Sequence, residues 1–248
     1  MSLYIKYQDN SLKKKAGELS ELLHLKIFAE PENIKERNFS EDYFLVLNSE
    51  NMFLQKGLNR NTNPIFSDFD NWAANYEDKL LQKSLRGLPN NFSCIDLTAG
   101  FGKDAFEIAK SRKCKSIHLI EKEKWVFSLL EDGLKNSGTK EAKELLLKFQ
   151  IFNEDNLQFL ETNKKNYDLI FIDPMFTGVQ KSKAKRHMQA LRDLSSSIND
   201  ENLLNRSLER ANLKVIVKRH KNMAFLEEVL PSRSIEGKVV RYDIYNTN

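Results

Sequence analysis

A short segment of the 248-residue chain, Asp173-Pro174-Met175-Phe176, follows an apolar run and carries residue types suited to group transfer onto a planar amino group. Such a nitrogen is a poor nucleophile because its lone pair delocalises into the ring. The Asp173 carboxylate and a main-chain carbonyl at Pro174, whose ring stiffens the backbone, provide acceptors for the two N–H groups. Phe176 can stack on the base. We therefore predict Asp173, Pro174 and Phe176 as catalytic residues, although a turn with a capping aspartate would look the same.

A second segment, residues 96–104, has the composition of a ligand-binding turn between a strand and a helix. Gly100 and Gly102 allow a sharp turn and a close approach of a ligand to the backbone, because glycine has no Cβ atom. In an open parallel sheet, ligands bind outside the carboxyl ends of the strands. A tight turn that binds no ligand would contain the same glycines.

Polar residues also follow the next two predicted strands. Glu121 suits hydrogen bonds from both ribose hydroxyls of an adenosine cofactor, the role of the acidic residue after the second strand in dinucleotide folds. Asp155 and Asn156 follow the third strand and suit an adenine amino group. Asp155 can equally cap a helix, and the two roles are compatible.

The charges of the turn distinguish two adenosine cofactors. NAD needs its pyrophosphate at the helix N-terminus, and Ala105 at the third glycine position is compatible with that fingerprint. Asp96 and Asp104, however, flank the turn and would repel a pyrophosphate. The same carboxylates suit a cofactor with an amino group and a sulfonium cation. We therefore predict S-adenosylmethionine.

Two basic clusters adjoin the predicted catalytic segment. Helical spacing puts Lys181, Lys185 and Arg192 on one face, next to the catalytic segment. A second cluster ends the fifth strand, on the same rim of the sheet. Each cluster alone could be a solvated surface, but two beside one catalytic segment favour a phosphate backbone and hence RNA. The predicted RNA-binding residues are Lys181, Lys183, Lys185, Arg186, Arg192, Lys218 and Arg219.

A sheet must bring these segments together, and the pattern from residue 92 onward predicts one. Short apolar strands alternate with helices, which is typical of a parallel sheet covered on both faces. We predict a doubly wound α/β domain over residues 66–248, with a final antiparallel strand over 238–245 at or near an edge. A small mixed α+β extension, residues 1–65, precedes it. Predicted strands span 3–7, 43–47, 52–56, 92–97, 116–120, 149–153, 167–172 and 213–218, and predicted helices span 12–23, 72–85, 103–111, 124–135, 141–148, 156–161 and 181–210.

Composition narrows the class of protein. Hydrophobic residues make up 40% and charged residues 30%, which is typical of a globular chain, and the net charge of +4 only weakly favours a polyanionic partner. No apolar run is long enough for a membrane-spanning helix, and no secretory signal is evident. Cys94 and Cys114 show no metal-binding spacing, so we expect buried free thiols, no metal and a cytoplasmic location.

Several motifs together resemble the ribosomal RNA small subunit methyltransferase J family: residues 96–106, 131–134, 173–176, 215–219 and 241–245, within a resemblance running from about residue 65 to 245. The resemblance implies a Rossmann-like bacterial enzyme that methylates guanine N2 in small-subunit (16S) ribosomal RNA with S-adenosylmethionine. Together with the turn, it gives the cofactor-binding set Asp96, Gly100, Gly102, Lys103, Asp104, Glu121, Lys122, Asp155, Asn156 and Asp173.

The sequence departs from that family in three places. Asp155 and Asn156 replace the small hydroxyl residues usual there, and Lys103 stands where the family often has arginine. The stretch after Phe69 is acidic and aromatic instead of basic and glycine-rich. Two alternatives therefore stay open: an amino-methyltransferase acting on another RNA, DNA adenine or a protein amide, and a non-catalytic RNA-binding module with a relic pocket.

Overall fold

The computed structural model of the chain describes residues 1–28, 39–58, 63–174, 186–195 and 201–247, with only the backbone of residues 186–188. The predicted site residues Phe176, Lys181, Lys183 and Lys185 lie outside these ranges. The described residues form two compact units. One draws on Met1–Ser67, Ser128–Asn136 and Thr177–Ile198, and the other on Asp68–Phe127, Ser137–Phe176 and Asn199–Asn248.

The first unit contains a three-stranded sheet. Its elements are β1 (Leu3–Tyr7), α1 (Lys13–Leu23), β2 (Tyr43–Leu47) and β3 (Met52–Lys56). Strand β2 pairs in parallel with β1 and antiparallel with β3. Asn48 closes the predicted β2–β3 hairpin, because its side-chain oxygen accepts hydrogen bonds from the backbone N–H groups of Glu50 and Asn51. All residues of β2 are buried, as the apolar run predicts.

The second unit contains a seven-stranded sheet in the order β6-β5-β4-β7-β8-β10-β9. Strands β4 to β8 are parallel, and β10 runs antiparallel to both β8 and β9. The fold prediction is confirmed, including the antiparallel C-terminal strand. The strands are β4 (Phe92–Asp96), β5 (Cys114–Ile120), β6 (Phe149–Phe152), β7 (Tyr167–Ile172), β8 (Ala211–His220), β9 (Arg233–Glu236) and β10 (Val240–Asn246).

Nine α-helices accompany the strands within the described ranges, and none of them is long and apolar enough to cross a membrane. Besides α1 they are α2 (Phe69–Asn75), α3 (Lys79–Ser84), α4 (Lys103–Ala109), α5 (Lys124–Asn136), α6 (Lys140–Leu146), α7 (Asn156–Thr162), α8 (Arg186–Leu194) and α9 (Leu203–Arg210).

The order of the strands determines where a ligand can bind. From β4, the chain proceeds to β5 and β6 on one side of the sheet and later to β7 and β8 on the other. This reversal makes the space between the carboxyl ends of β4 and β7 the topological switch point, where open α/β sheets bind ligands. Apolar residues of these strands, such as Ile95, Ile170 and Val215, are fully buried, so the sheet that carries the site is anchored in the core.

Two predictions about helices were wrong, and one strand was missed. The single helix predicted over residues 72–85 is two helices, because Asp78 adopts an extended conformation and caps α3. The helix predicted over residues 181–210 appears in the described part as α8 and α9, and the N-cap of α9 is Asn202, whose φ of 67° is not helical. Strand β9 was not predicted, since its four residues are half-buried or exposed and show no apolar alternation.

Candidate active site

The carboxyl ends of β4 and β7 are joined by a threonine. The Thr98 hydroxyl donates to Oδ1 of Asp96 at 3.3 Å and accepts from the backbone N–H of Asp173 at 2.6 Å. The backbone N–H of Thr98 also donates to Asp96 Oδ1, at 3.0 Å. Thr98 therefore fixes the backbone at the start of the predicted catalytic segment. Sequence reasoning did not single it out, because a threonine inside a turn carries no periodic signal.

The glycines of the turn have the conformations that their prediction requires. The φ values of Gly100 and Gly102 are 54° and 82°, in the left-handed region that favours glycine. The N–H of Gly100 donates to Oε2 of Glu121 at 2.9 Å, so the turn is hydrogen-bonded to the residue that follows β5. A Cβ atom added to Gly100 would meet only the Thr98 carbonyl oxygen, at 3.9 Å, so the surface beside it is open to a ligand.

Glu121 is buried at the end of β5 and its carboxylate is held by backbone donors. One oxygen accepts from Gly100 and the other from the N–H of Glu123, at 2.8 Å. Burial raises the pKa of Glu121 to about 7, and the two backbone hydrogen bonds oppose that rise. Its neighbour Lys122 is half-buried. A rigid carboxylate with spare lone pairs suits the two hydroxyls of a ribose.

The end of β6 also has the predicted polar residues. Asp155 is the N-cap of α7, and its Oδ1 accepts from the N–H groups of Leu157 and Gln158 at 3.0 and 3.3 Å. Asn156, the first residue of that helix, is buried. Asp155 therefore has the capping role that was considered as an alternative. The adenine contact of Asp155 and Asn156 stays a prediction.

A cluster of three charged groups, called here the ion cluster, lies at the switch point: Asp104, Asp173 and Lys218. The Lys218 ammonium lies 2.5 Å from Oδ2 of Asp104 and 2.9 Å from Oδ2 of Asp173. Each side chain is at most one-fifth exposed. Burial raises the pKa of Asp173 to about 6, against the opposing attraction of Lys218. Lys218 was predicted to bind RNA, and its placement between two carboxylates does not fit a phosphate contact at the rim.

The charges of the crevice fit a cationic cofactor. Burial, with Asp104 and Asp173 nearby, raises the pKa of Asp96 to about 8, so Asp96 is largely neutral at neutral pH. The ion cluster then holds two carboxylates and one ammonium, which leaves one negative charge. A sulfonium or amino group would balance that charge, whereas a pyrophosphate would be repelled. The residues present therefore fit S-adenosylmethionine.

Aromatic rings from the segment that departs from the family lie beside α4. The Lys103 ammonium is 3.7 Å from the centre of the Tyr76 ring and 5.9 Å from that of Trp72. Both distances are within the range of cation–π attraction. Lys103 is thus held by aromatic faces at the first residue of α4. Composition alone showed that the segment is aromatic but not which cation it faces.

The remaining predicted residues are placed as follows. Pro174 is buried. Arg219 donates from its guanidinium to the carbonyl of Ala224 at 3.0 Å. Arg186 is the first residue of α8, and the structure describes only its backbone. Arg192 lies in the last turn of α8, in the first compact unit. No group of three or more potential metal ligands occurs in the part of the chain that the structure describes.

A seven-stranded sheet with this strand order, and an acidic crevice at its switch point, define the class as S-adenosylmethionine-dependent methyltransferase. A family model described as "Putative SAM-dependent methyltransferase" matches residues 30–247. A ribosomal RNA small subunit methyltransferase J of Cellvibrio japonicus is 30% identical over 223 residues, covering 82% of this chain and 83% of that protein. The chain belongs to the ribosomal RNA small subunit methyltransferase J family.

Other known proteins agree with this assignment. Proteins with the same description from Hydrogenovibrio crunogenus and Francisella tularensis subsp. novicida are 37% and 29% identical, over 157 and 218 residues. These alignments cover 61% and 83% of this chain, and 56% and 88% of the relatives. The solved structure of the SAM-dependent methyltransferase NGO1261 from Neisseria gonorrhoeae has a TM-score of 0.69 at 18% identity, covering 100% of this chain and 96% of that one. That likeness supports the fold.

Proposed function

We propose that this protein transfers a methyl group from S-adenosylmethionine to the exocyclic N2 of a guanine in 16S ribosomal RNA of the small subunit. Membership of the family and the names of its relatives support the ribosomal RNA substrate. The observation that carries the chemistry is the placement of Asp173 and Pro174 at the end of β7, tied through Thr98 to Asp96. A ribosomal substrate also supports a cytoplasmic location.

The cofactor would lie across the carboxyl ends of β4, β5 and β6. In this proposal Glu121 accepts from the ribose hydroxyls, with Lys122 beside it, and Asp155 and Asn156 face the adenine. The turn at Gly100 and Gly102, with Lys103 and Asp104 after it, faces the amino acid portion of the cofactor. Asp96 lies at the bottom of the crevice there. When bound, S-adenosylmethionine supplies a methyl group made electrophilic by a cationic sulfur.

The acceptor amine would be held by the start of the catalytic segment. The carboxylate of Asp173 and the carbonyl of Pro174 accept its two N–H groups, which directs the nitrogen lone pair towards the methyl donor. Phe176 would stack on the guanine, worth about 1–3 kcal/mol. As the new N–C bond forms, Asp173, with a pKa of about 6, can take the proton that the nitrogen loses. Positioning of two reactants supplies the main acceleration.

The RNA backbone would be bound by the basic run that follows the catalytic segment. We keep Lys181, Lys183, Lys185, Arg186 and Arg192 in this role, with Arg219 at the end of β8, as the sequence predicts. We also keep residues 1–65 as an extension and residues 66–248 as the methyltransferase domain. An assembled small ribosomal subunit is proposed as the partner, because the relatives are named for small-subunit ribosomal RNA.

The function is tested by methyl transfer from tritiated S-adenosylmethionine to small subunits from cells that lack the enzyme. We expect label in the 16S RNA and not in protein or in added DNA. Asp173→Asn should lower kcat by about 100-fold or more, since an acceptor in the transition state is weakened. Asp168→Asn, an aspartate near the opposite end of β7, is the matched control and should stay near wild type. Label in protein or DNA, or full activity of Asp173→Asn, would contradict the proposal.

A further inference from the structure

The ammonium group of Lys218 joins two segments that lie far apart in the sequence. Asp104 belongs to the first turn of α4, on the cofactor side of the crevice, and Asp173 follows β7, on the acceptor side. Lys218 reaches both from β8, at 2.5 and 2.9 Å, with about a fifth of its side chain exposed. Each contact is a charge-assisted hydrogen bond, which is stronger and more directional than a neutral one.

We propose that Lys218 is a positioning residue for methyl transfer, whose ammonium bridges Asp104 and Asp173 and keeps the Asp173 carboxylate ionised and aimed at the acceptor amine. This role rests on the proposed function. This role replaces the phosphate contact that the sequence predicted for Lys218. Two carboxylates already neutralise the charge of its ammonium group, so that it attracts an RNA phosphate only weakly.

The surroundings of Asp173 show why a cation is needed there. Asp104 approaches from α4, and its charge disfavours a charge on Asp173. Asp96, from β4, is itself kept neutral by burial and by the charges of Asp104 and Asp173. Lys218, from β8, is the cation that opposes the effect of burial and Asp104 on Asp173. Tyr242 of β10 and Tyr76, between α2 and α3, also lie within electrostatic range of Asp104 and Lys218. Without Lys218, burial and the neighbouring Asp104 carboxylate would favour a protonated Asp173, which accepts hydrogen bonds poorly.

Tyr242 does not replace Lys218 as a donor to the carboxylates. Its hydroxyl donates to Oδ2 of Asp78 at 2.8 Å, and the residue is fully buried. Removal of the ammonium would therefore leave Asp104 and Asp173 facing each other without the cation that joins them. Without the ammonium, the pH at which Asp173 loses its proton should rise.

The test compares the pH dependence of kcat in four proteins: wild type, Lys218→Met, Lys218→Arg and Lys214→Met. Lys214 is the matched control, because it lies four residues earlier on β8, is also buried, and donates to the carbonyl of Arg86 and not to the crevice. In wild type, kcat should fall as the pH drops through about 6, where Asp173 gains a proton. Lys218→Met should raise this midpoint by about one pH unit or more and lower kcat at pH 7 about tenfold.

The other variants separate positioning from folding. Lys218→Arg keeps the charge and should keep the midpoint near that of wild type, whereas Lys214→Met should leave it unchanged even where stability falls. An unchanged midpoint in Lys218→Met would overturn the proposal, because a purely structural lysine would lower kcat equally at every pH.

A second readout does not depend on the RNA substrate. Carbon-13 NMR of the aspartate carboxyl groups, with the Asp173 signal assigned from Asp173→Asn, measures the titration of Asp173 directly. A midpoint near 6 in wild type and a higher one in Lys218→Met would support the electrostatic role even if no ribosomal RNA were methylated. Equal midpoints in the two proteins would overturn it, whatever the substrate is.

Discussion

Three carboxyl groups of the crevice have pKa values above those of free aspartate and glutamate: about 8 for Asp96, about 7 for Glu121 and about 6 for Asp173. Burial is the largest cause for each, since it disfavours the charged form. Each group is therefore sensitive to pH near neutrality. Perturbed values of this kind concentrate at functional sites.

Glu121 gives a prediction at the scale of one residue. Ribose hydroxyls donate to an ionised carboxylate, so the affinity for S-adenosylmethionine should fall as the pH drops below about 7, where Glu121 gains a proton. Glu121→Gln should raise Kd about 10-fold or more and flatten this pH dependence, because a charged acceptor is lost. Isothermal titration calorimetry over a range of pH measures both effects.

Glu123→Gln is the control for Glu121. Its backbone N–H, which donates to Glu121, remains in place, so Kd at neutral pH should stay close to that of wild type. The pH dependence should persist with a slightly lower midpoint, because the Glu123 charge raises the pKa of Glu121. A wild-type affinity that does not change with pH would contradict the proposed ribose contact, as would equal affinities of Glu121→Gln and Glu123→Gln.

At the scale of elements, Asp78 links α3 to the sheet. One of its oxygens accepts from the N–H groups of Leu80 and Leu81 at 3.0 and 2.9 Å, and the other accepts from the buried hydroxyl of Tyr242. Asp68 caps α2 with a single 3.2 Å bond from the N–H of Asn71. Both aspartates are helix N-caps, and Asp78 accepts one more backbone hydrogen bond than Asp68 and the buried hydrogen bond of Tyr242.

Asp78→Ala should lower the free energy of unfolding by about 2–4 kcal/mol, from the lost cap and the tyrosine hydroxyl left without a partner. Asp68→Ala should cost only about 0.5–1 kcal/mol. Urea denaturation followed by circular dichroism measures both. In the Asp78→Ala background, Tyr242→Phe should cost less than it does in wild type. Equal effects of the two alanine variants would contradict this account of α3.

The elements also show what the sequence could predict. The run Tyr167–Ile172 is apolar except at Asp168, as burial on both faces of a parallel sheet favours, and the bounds of β7 were predicted correctly. The break between α2 and α3 was missed because apolar spacing continues through it, and only the tertiary contact of Asp78 with Tyr242 shows why the chain turns there. Strand β9 is short and polar, and its pairing with β10 alone defines it.

The residues of the candidate site could be predicted from the sequence only in part. Asp96 ends a strand, and Glu121 and Asp173 each follow one, so a parallel sheet brings them to one edge. The structure places Asp96 and Asp173 on either side of Thr98. The partnership of Lys218 with Asp104 spans 114 positions and leaves no local pattern. Lys218, a basic residue near the end of a strand, was therefore assigned to the rim of the sheet. Its side chain instead enters the crevice, and the sequence does not show the direction of a side chain.

At the scale of the whole molecule, the net charge of +4 is too small to bind RNA by itself, so the distribution of charge matters. Changing Lys181, Lys183 and Lys185 together to alanine should raise KM for the RNA about tenfold and reduce its salt dependence, with kcat nearly unchanged. The same change at Lys13, Lys14 and Lys15, exposed in α1, removes equal charge and should have a smaller effect. Equal effects would indicate only non-specific attraction.

The central claim, methylation of guanine N2 in small-subunit RNA, is tested most directly by mass spectrometry of that RNA. Small subunits from cells lacking the enzyme are incubated with the purified protein and S-adenosylmethionine, and the RNA is digested and mapped. We predict one new N2-methylguanosine in 16S RNA, absent when Asp173→Asn replaces the wild type. A methyl group on adenine, on another atom of guanine or at many scattered positions would contradict the claim, as would unmodified RNA.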